Sequence, residues 1–200
     1  MIAALYVLKN GPYYGLPDVD PWDKERDARR YDGPWPVVAH PPCARWGRYW
    51  SGGPSNHGKF KLGDDEGCFA AALASVRKWG GVLEHPADSH AWSAFSLNKP
   101  PRSGGWVVAD AQGGWTCCVE QGHYGNPSRK RTWLYVVGLL PKELVWESSG
   151  QRLIERGLSY EATRRKGVIH YMTKRQRTET PIEFRDLLLA MARTYNGADR

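Results

Sequence analysis

Short apolar runs set between long polar, glycine- and proline-rich stretches carry the hydrophobic pattern of this chain. Residues 2–8, "IAALYVL", are continuously apolar and close on "NGPYYG", the pattern of a buried strand that ends in a turn. The next stretch, "DVDPWDKERDARRYDGPW", mixes charge with proline and offers no apolar face long enough for a core helix. Residues 37–39 resume the apolar pattern and predict a strand running into "HPPC". Beyond the glycine-rich loop "SGGPSNHGKFKLGDDEG", Cys68, Phe69, Ala72, Leu73, Val76 and Trp79 fall on one face of a predicted helix. Asp64, Asp65 and Glu66 place negative charge in its first turn, and Gly80 and Gly81 end it.

Further short strands are expected at residues 82–83, 106–110 and 116–120. "TWLYVVG" at 132–138, β-branched and aromatic throughout, is the strongest strand signal. From residue 141 the character changes. Residues 151–177 carry clustered arginines with few large apolar side chains, peaking in "ATRRKG" and "TKRQRTET". Such a run is either a solvated arm or a phosphate-tracking segment. Thr180 as N-cap, Pro181 at the first position and Glu183 completing a capping box predict a last helix, with Ile182, Leu187, Leu188 and Met191 on its core face. Strands alternating with helices predict an α/β fold with a mostly parallel sheet and flanking helices. The expected organisation is a core over 1–140, a basic, loop-rich extension over 141–179, and a C-terminal helix over 180–200 packed on the core.

At 41% hydrophobic residues, the 200-residue chain can bury one sizeable core. No apolar run is long enough to span a bilayer, and the apolar start lacks a preceding basic segment and a small-residue cleavage pattern. A cytoplasmic protein is the expectation. The four cysteines include one adjacent pair and no C-x-x-C, so neither a disulfide framework nor a metal site is expected, although His40 and Cys43 stand three apart. A net charge of +7 combined with 10 tryptophans and 10 tyrosines fits a nucleic-acid partner, because cations neutralise phosphates and rings stack on bases. The plainer alternative is a protein that is simply basic.

In α/β sheets reactive groups gather beyond the carboxyl ends of strands. "HPPC" at 40–43 and "EHP" at 84–86 stand at such ends. "YGNPSRKR" precedes the strong strand, at its amino end, and would have to fold back to join them. A cysteine on a proline-stiffened turn beside Arg45 and Arg48 is expected to favour its thiolate. Each group also has an ordinary structural reading: Cys43 as an inert buried thiol, Glu84 as an arginine partner, residues 129–131 as a solvated charge run, Trp46 as core packing.

Taken in order, "HPPC", "LEHP" and "SRKRTWLYVVG" resemble segments of the carbon-5 cytosine DNA methyltransferases. They resemble still more closely a set of shortened phage and prophage relatives of those enzymes. The resemblance covers residues 37–140 and implies a shortened, Rossmann-like methyltransferase fold acting on DNA in a host cytoplasm. It implies that Cys43 adds to a pyrimidine ring, most directly cytosine, that Glu84 bonds the ring nitrogen and amino group, and that Arg129 and Arg131 position the base. His40, Pro42, Arg45, Trp46, Arg48, His85, Ser128 and Lys130 would then surround the base or the DNA, which must present a flipped or single-stranded nucleotide. S-adenosylmethionine would be the methyl donor, yet the family's glycine-rich turn for it has no counterpart here. Two strand–helix units are missing before Cys43, Glu-Asn-Val is replaced by Glu84-His85-Pro86, and Ser128 stands where the family has glutamine. Two further readings are a non-catalytic DNA-binding or anti-restriction relative, and a thiolate enzyme that processes a modified pyrimidine without S-adenosylmethionine.

Overall fold

The computed structural model describes residues 1–52, 56, 58–139, 142–150 and 179–195. Seven strands, β1 (Ile2–Leu5), β2 (Val19–Trp22), β3 (Val37–Ala39), β4 (Gly81–Pro86), β5 (Val107–Val108), β6 (Trp115–Glu120) and β7 (Arg131–Val137), form one sheet in the order β2-β1-β3-β4-β7-β6-β5. Helices α1 (Cys68–Trp79), α2 (His90–Ala94) and α3 (Ile182–Arg193) flank it. β1 and β3 are central and covered on both faces, which is why they read as unbroken apolar runs. β2 was hidden by its charge and proline. As an edge strand it buries only Val19, and it tolerates Pro21 because its outer side has no partner to lose.

The α/β class holds, but the expected mostly parallel sheet does not. β2, β1, β3 and β4 run parallel, whereas β4–β7, β7–β6 and β6–β5 are antiparallel. The physical reason lies in the connections. β6 reaches β7 through a short 3-10 turn at Gln121–Tyr124, which closes an antiparallel pair without a crossover helix. This reversal has a consequence for residues 126–130. The amino end of β7 lies beside the carboxyl end of β4, so these residues arrive at the reactive edge without folding back.

Alternation along the strands builds two cores. Leu5, Val37, Ala39, Leu83 and Trp133 pack under α1 and α2 with Phe69, Leu73, Val76 and Trp92. Ile2, Ala4, Val38, Val82 and Leu134 pack under α3 with Phe184, Leu188 and Leu189. α1 starts at Cys68, two residues after the acidic run, and Asp65 accepts from the backbone N–H of Gly67 (3.1 Å) and of Phe69 (2.8 Å). α3 starts at Ile182 with Pro181 as N-cap and no side-chain cap, so the Thr180 capping box does not form. Its register puts Ile182 in solvent and Phe184, Leu188, Leu189 and Met191 in the core. Gly81 opens β4 at φ 118° with the Val37 carbonyl where a Cβ would sit, so only glycine allows β3 and β4 to approach there.

The strand order reverses at β1, with β2 laid on one side and β3 on the other. In open sheets this switch point places a crevice beyond the carboxyl ends of the two strands. No helix among the described residues is long and apolar enough to cross a membrane. The basic peaks of residues 151–177 lie outside the described residues.

Candidate functional site

A cleft of about 230 Å³ opens at that switch point, lined by Tyr6, Tyr13, His40, Pro42, Cys43, Glu84, Pro86, Lys130 and Thr180 among others. Local chemistry explains why Cys43 reaches it. The His40 N–H still bonds the Leu5 carbonyl (3.0 Å), but Pro41 and Pro42 carry no N–H and stop the ladder. The chain then turns at Cys43, whose carbonyl accepts from the N–H groups of Trp46 and Gly47, each at 3.0 Å. Glu84 arrives by strand alternation. Its neighbours Leu83 and His85 belong to the α1 face, so Glu84 takes the opposite one.

The Glu84 carboxylate is held at both oxygens. Oε2 lies 3.0 Å from His40 Nδ1, and Oε1 accepts from Gln121 Nε2 at 3.2 Å. Burial opposes its charge, but the His40 bond and the Lys130 ammonium outweigh burial and hold the carboxyl below the usual glutamate range. Behind it, His40 Nε2 lies 2.8 Å from the hydroxyl of fully buried Tyr13. Gln121 is fixed in turn, because Nε2 also donates to Thr132 Oγ1 (2.9 Å) and Oε1 accepts from Asn126 Nδ2 (3.5 Å). Sequence reading missed Tyr13 and Gln121. Their only local signal was a polar residue closing an apolar run, which most loops share.

Cys43 is exposed at the cleft mouth. Desolvation by the surrounding walls and the nearby Glu84 charge push its thiol up, and Lys130 offsets part of that rise. The expected help from Arg45 and Arg48 is absent because both guanidiniums are engaged elsewhere. Arg45 donates to the Trp50 carbonyl (3.0 Å) and stacks 3.4 Å over the Phe60 ring, and Arg48 lies over Tyr49.

The basic run divides. Arg129 binds Glu120 Oε1 through Nε (2.8 Å) and Nη2 (2.5 Å), and Arg131 Nε reaches the same oxygen at 3.2 Å. Glu120 Oε2 accepts from Ser149 N–H and Oγ. Against its burial, these donors bring the Glu120 carboxyl down to about 2. Arg129 and Arg131 are therefore outside the cleft lining, and Lys130 between them is in it, with its backbone at φ 32°. Ser128 is buried on Asn126 Oδ1, away from the lining.

Two other expected contacts belong to the core. Trp46 is 6% exposed, donates to Asp65 Oδ2 (2.7 Å) and packs on Phe69 and Phe95. His85 is buried between Phe69 and Trp92 with Nδ1 2.8 Å from Ser89 Oγ, and burial lowers its pKa to about 4, so it is neutral.

A second cavity, of about 520 Å³, adjoins the first across Tyr6, Val7, Leu8 and Pro42. Asp23, Asp27, Asp65 and Glu66 give it an acidic wall, with Arg29 and Cys68 beside them. Tyr6 stands between the two cavities at φ 61°, and its buried hydroxyl has no hydrogen-bond partner among the described residues. A bulky residue in this backbone region is strain of the kind that collects at ligand sites. No protein-family model, curated protein or solved structure matches this chain at a significant level.

Proposed function

We propose that the protein is a DNA base-modifying enzyme with a shortened, Rossmann-like methyltransferase architecture, and that Cys43 adds covalently to a pyrimidine, cytosine above all. The observation that carries this reading is the convergence of Cys43, Glu84 and Lys130 on one small cleft at the switch point of the parallel strands. The run β2-β1-β3-β4, parallel and reversing at β1, supports the Rossmann-like part. The role expected of Arg129 and Arg131 passes to Lys130, whose charge favours both the thiolate and the ionised Glu84.

In the addition, the Cys43 sulfur bonds to ring carbon 6. The carbon 5–carbon 6 π pair moves into a carbon 4–carbon 5 bond, the carbon 4–nitrogen 3 π pair moves onto nitrogen 3, and nitrogen 3 takes a proton delivered by Glu84. Carbon 5 is then electron-rich. Its bond to an electrophilic carbon, followed by loss of the carbon 5 and nitrogen 3 protons and expulsion of the sulfur as thiolate, restores the ring. A cleft of this size admits a base and not a duplex, so the nucleotide enters flipped or from a single strand.

The residues of the neighbouring cavity fit S-adenosylmethionine. The unpartnered Tyr6 hydroxyl faces a carboxylate-rich wall suited to ribose hydroxyls and cationic groups. Tyr6, Asp23, Asp27 and Asp65 would hold it, and when bound it supplies an electrophilic methyl carbon.

The test is DNA carrying pyrimidin-2-one in place of cytosine, which accepts a thiolate at carbon 6. A covalent complex stable to denaturation, mapped to Cys43 by mass spectrometry and absent in Cys43→Ala, is expected. DNA retained with no adduct under any condition would instead support the non-catalytic DNA-binding reading, which the raised thiol favours. An adduct with no calorimetric binding of S-adenosylmethionine would point to thiolate chemistry on a modified pyrimidine.

A further inference from the structure

The cleft contains a hydrogen-bonded chain that thiolate addition alone does not require. Tyr13 Oη lies 2.8 Å from His40 Nε2, His40 Nδ1 lies 3.0 Å from Glu84 Oε2, and all three residues line the cleft with Cys43. Glu84 is held ionised at rest, yet ring nitrogen 3 must gain a proton when sulfur bonds to carbon 6. That proton needs a store. Gln121 occupies the other carboxylate oxygen and is itself pinned by Thr132 and Asn126, so an amide stands on that side with no proton to release. Tyr13 is kept neutral by burial, which leaves the His40 imidazole, with one ring nitrogen on Tyr13 and the other on Glu84, as the group in the chain able to take up and pass on a proton.

We propose, resting on the reading of Cys43 above, that His40 is the proton store for Glu84, positioned by Tyr13, and that it releases its proton through the carboxyl group to ring nitrogen 3 as Cys43 adds. The balance closes within the site. Imidazolium loses one proton, nitrogen 3 gains one, the thiolate charge is spent in the new sulfur–carbon bond, and Glu84 ends as the carboxylate it began as. The Tyr13 hydroxyl accepts from Nε2–H in both states of the ring, because the proton that leaves is the one on Nδ1, which faces Glu84. The charged and titratable groups around this pair are Glu84, Lys130 and Cys43 on the cleft side, His85 behind Glu84, and Arg185 and Asp186 of α3 near Tyr13. His40 does not touch the reacting carbon, so it is a positioning and proton-supplying residue.

The pH profile of adduct formation with the pyrimidin-2-one DNA tests this assignment. The reactive state needs both the Cys43 thiolate and the His40 imidazolium. Deprotonation creates the thiolate and removes the imidazolium, so with a raised thiol the two effects offset one another and the wild-type rate levels off. In His40→Gln the rate is expected to be slower by about 100-fold at neutral pH and to keep rising about tenfold per pH unit where the wild type is flat. In Tyr13→Phe, which removes only one buried oxygen, the flat region is expected to begin at lower pH, because the imidazolium loses an acceptor that it holds more strongly than the neutral ring does. An unchanged profile in His40→Gln, or, should that variant not fold, an unmoved flat region in Tyr13→Phe, overturns the assignment while leaving Cys43 as the nucleophile. Absence of any adduct in the wild type removes the underlying reading, and with it the store.

Discussion

Replacing Glu120 by glutamine tests the clamp that sends Lys130 into the cleft. The carboxylate takes hydrogen bonds from Arg129, Arg131 and Ser149 and is almost fully covered, its side chain only 9% exposed. Its displacement from the ordinary glutamate value to about 2 corresponds to a ceiling of about 3 kcal/mol of folding stability at neutral pH. Arg131 is 40% exposed and water screens its share, which brings the expected loss in Glu120→Gln to about 2 kcal/mol. For a domain of this size that is a fall in Tm of about 4–8 °C. The sign with pH follows from the lowered carboxyl. The stabilisation is complete above the unfolded glutamate range, near 4.5, and disappears as pH falls through about 2. Urea unfolding of wild type and variant at pH 7, 4 and 2.5 should therefore show a gap of about 2 kcal/mol that narrows steadily with acid. The same gap at all three values would refute the electrostatic account and assign the loss to packing. The variant should also slow adduct formation, because Lys130 sits at positive φ between the two anchored arginines.

Two further predictions concern residues that the structure moves from the base pocket into the core. Trp46→Ala should cost about 3–5 kcal/mol by removing a buried indole and its Asp65 bond; an unshifted Tm with weakened DNA binding would return Trp46 to a stacking role. Neutral, buried His85 should make the wild type lose stability as pH falls from about 6.5 towards 4, since the unfolded chain takes up the proton first, so thermal unfolding of His85→Gln should show a flatter pH dependence over that window, and parallel curves would refute the assignment.

The pattern that made β1, β3, α1 and β7 legible is burial itself. Central strands covered on both faces leave unbroken apolar runs, and a helix packed on one side leaves a stripe. β2 left neither, because an edge strand needs only one buried residue to join the sheet, and its Val19 stands among aspartates and a proline. Strand direction was illegible for a different reason. Apolar periodicity is the same in either direction, and only the length and character of the β6–β7 connection, a 3-10 turn, reveals the reversal. The site divides along the same line. Cys43 and Glu84 could be placed because strand ends and prolines mark positions along the chain. The choice among Arg129, Lys130 and Arg131 could not, because it depends on Glu120, which stands nine and eleven residues before the two arginines on the antiparallel neighbour and directly opposite Arg131. In a strand-leading loop, three consecutive basic residues cannot all face one cleft. The buried acid opposite them captures the two that alternate towards it and leaves the middle one for chemistry. Charge on a sheet edge is thus assigned by its cross-strand partner, and a basic motif next to a strand should be read together with the acids of the strand that pairs with it.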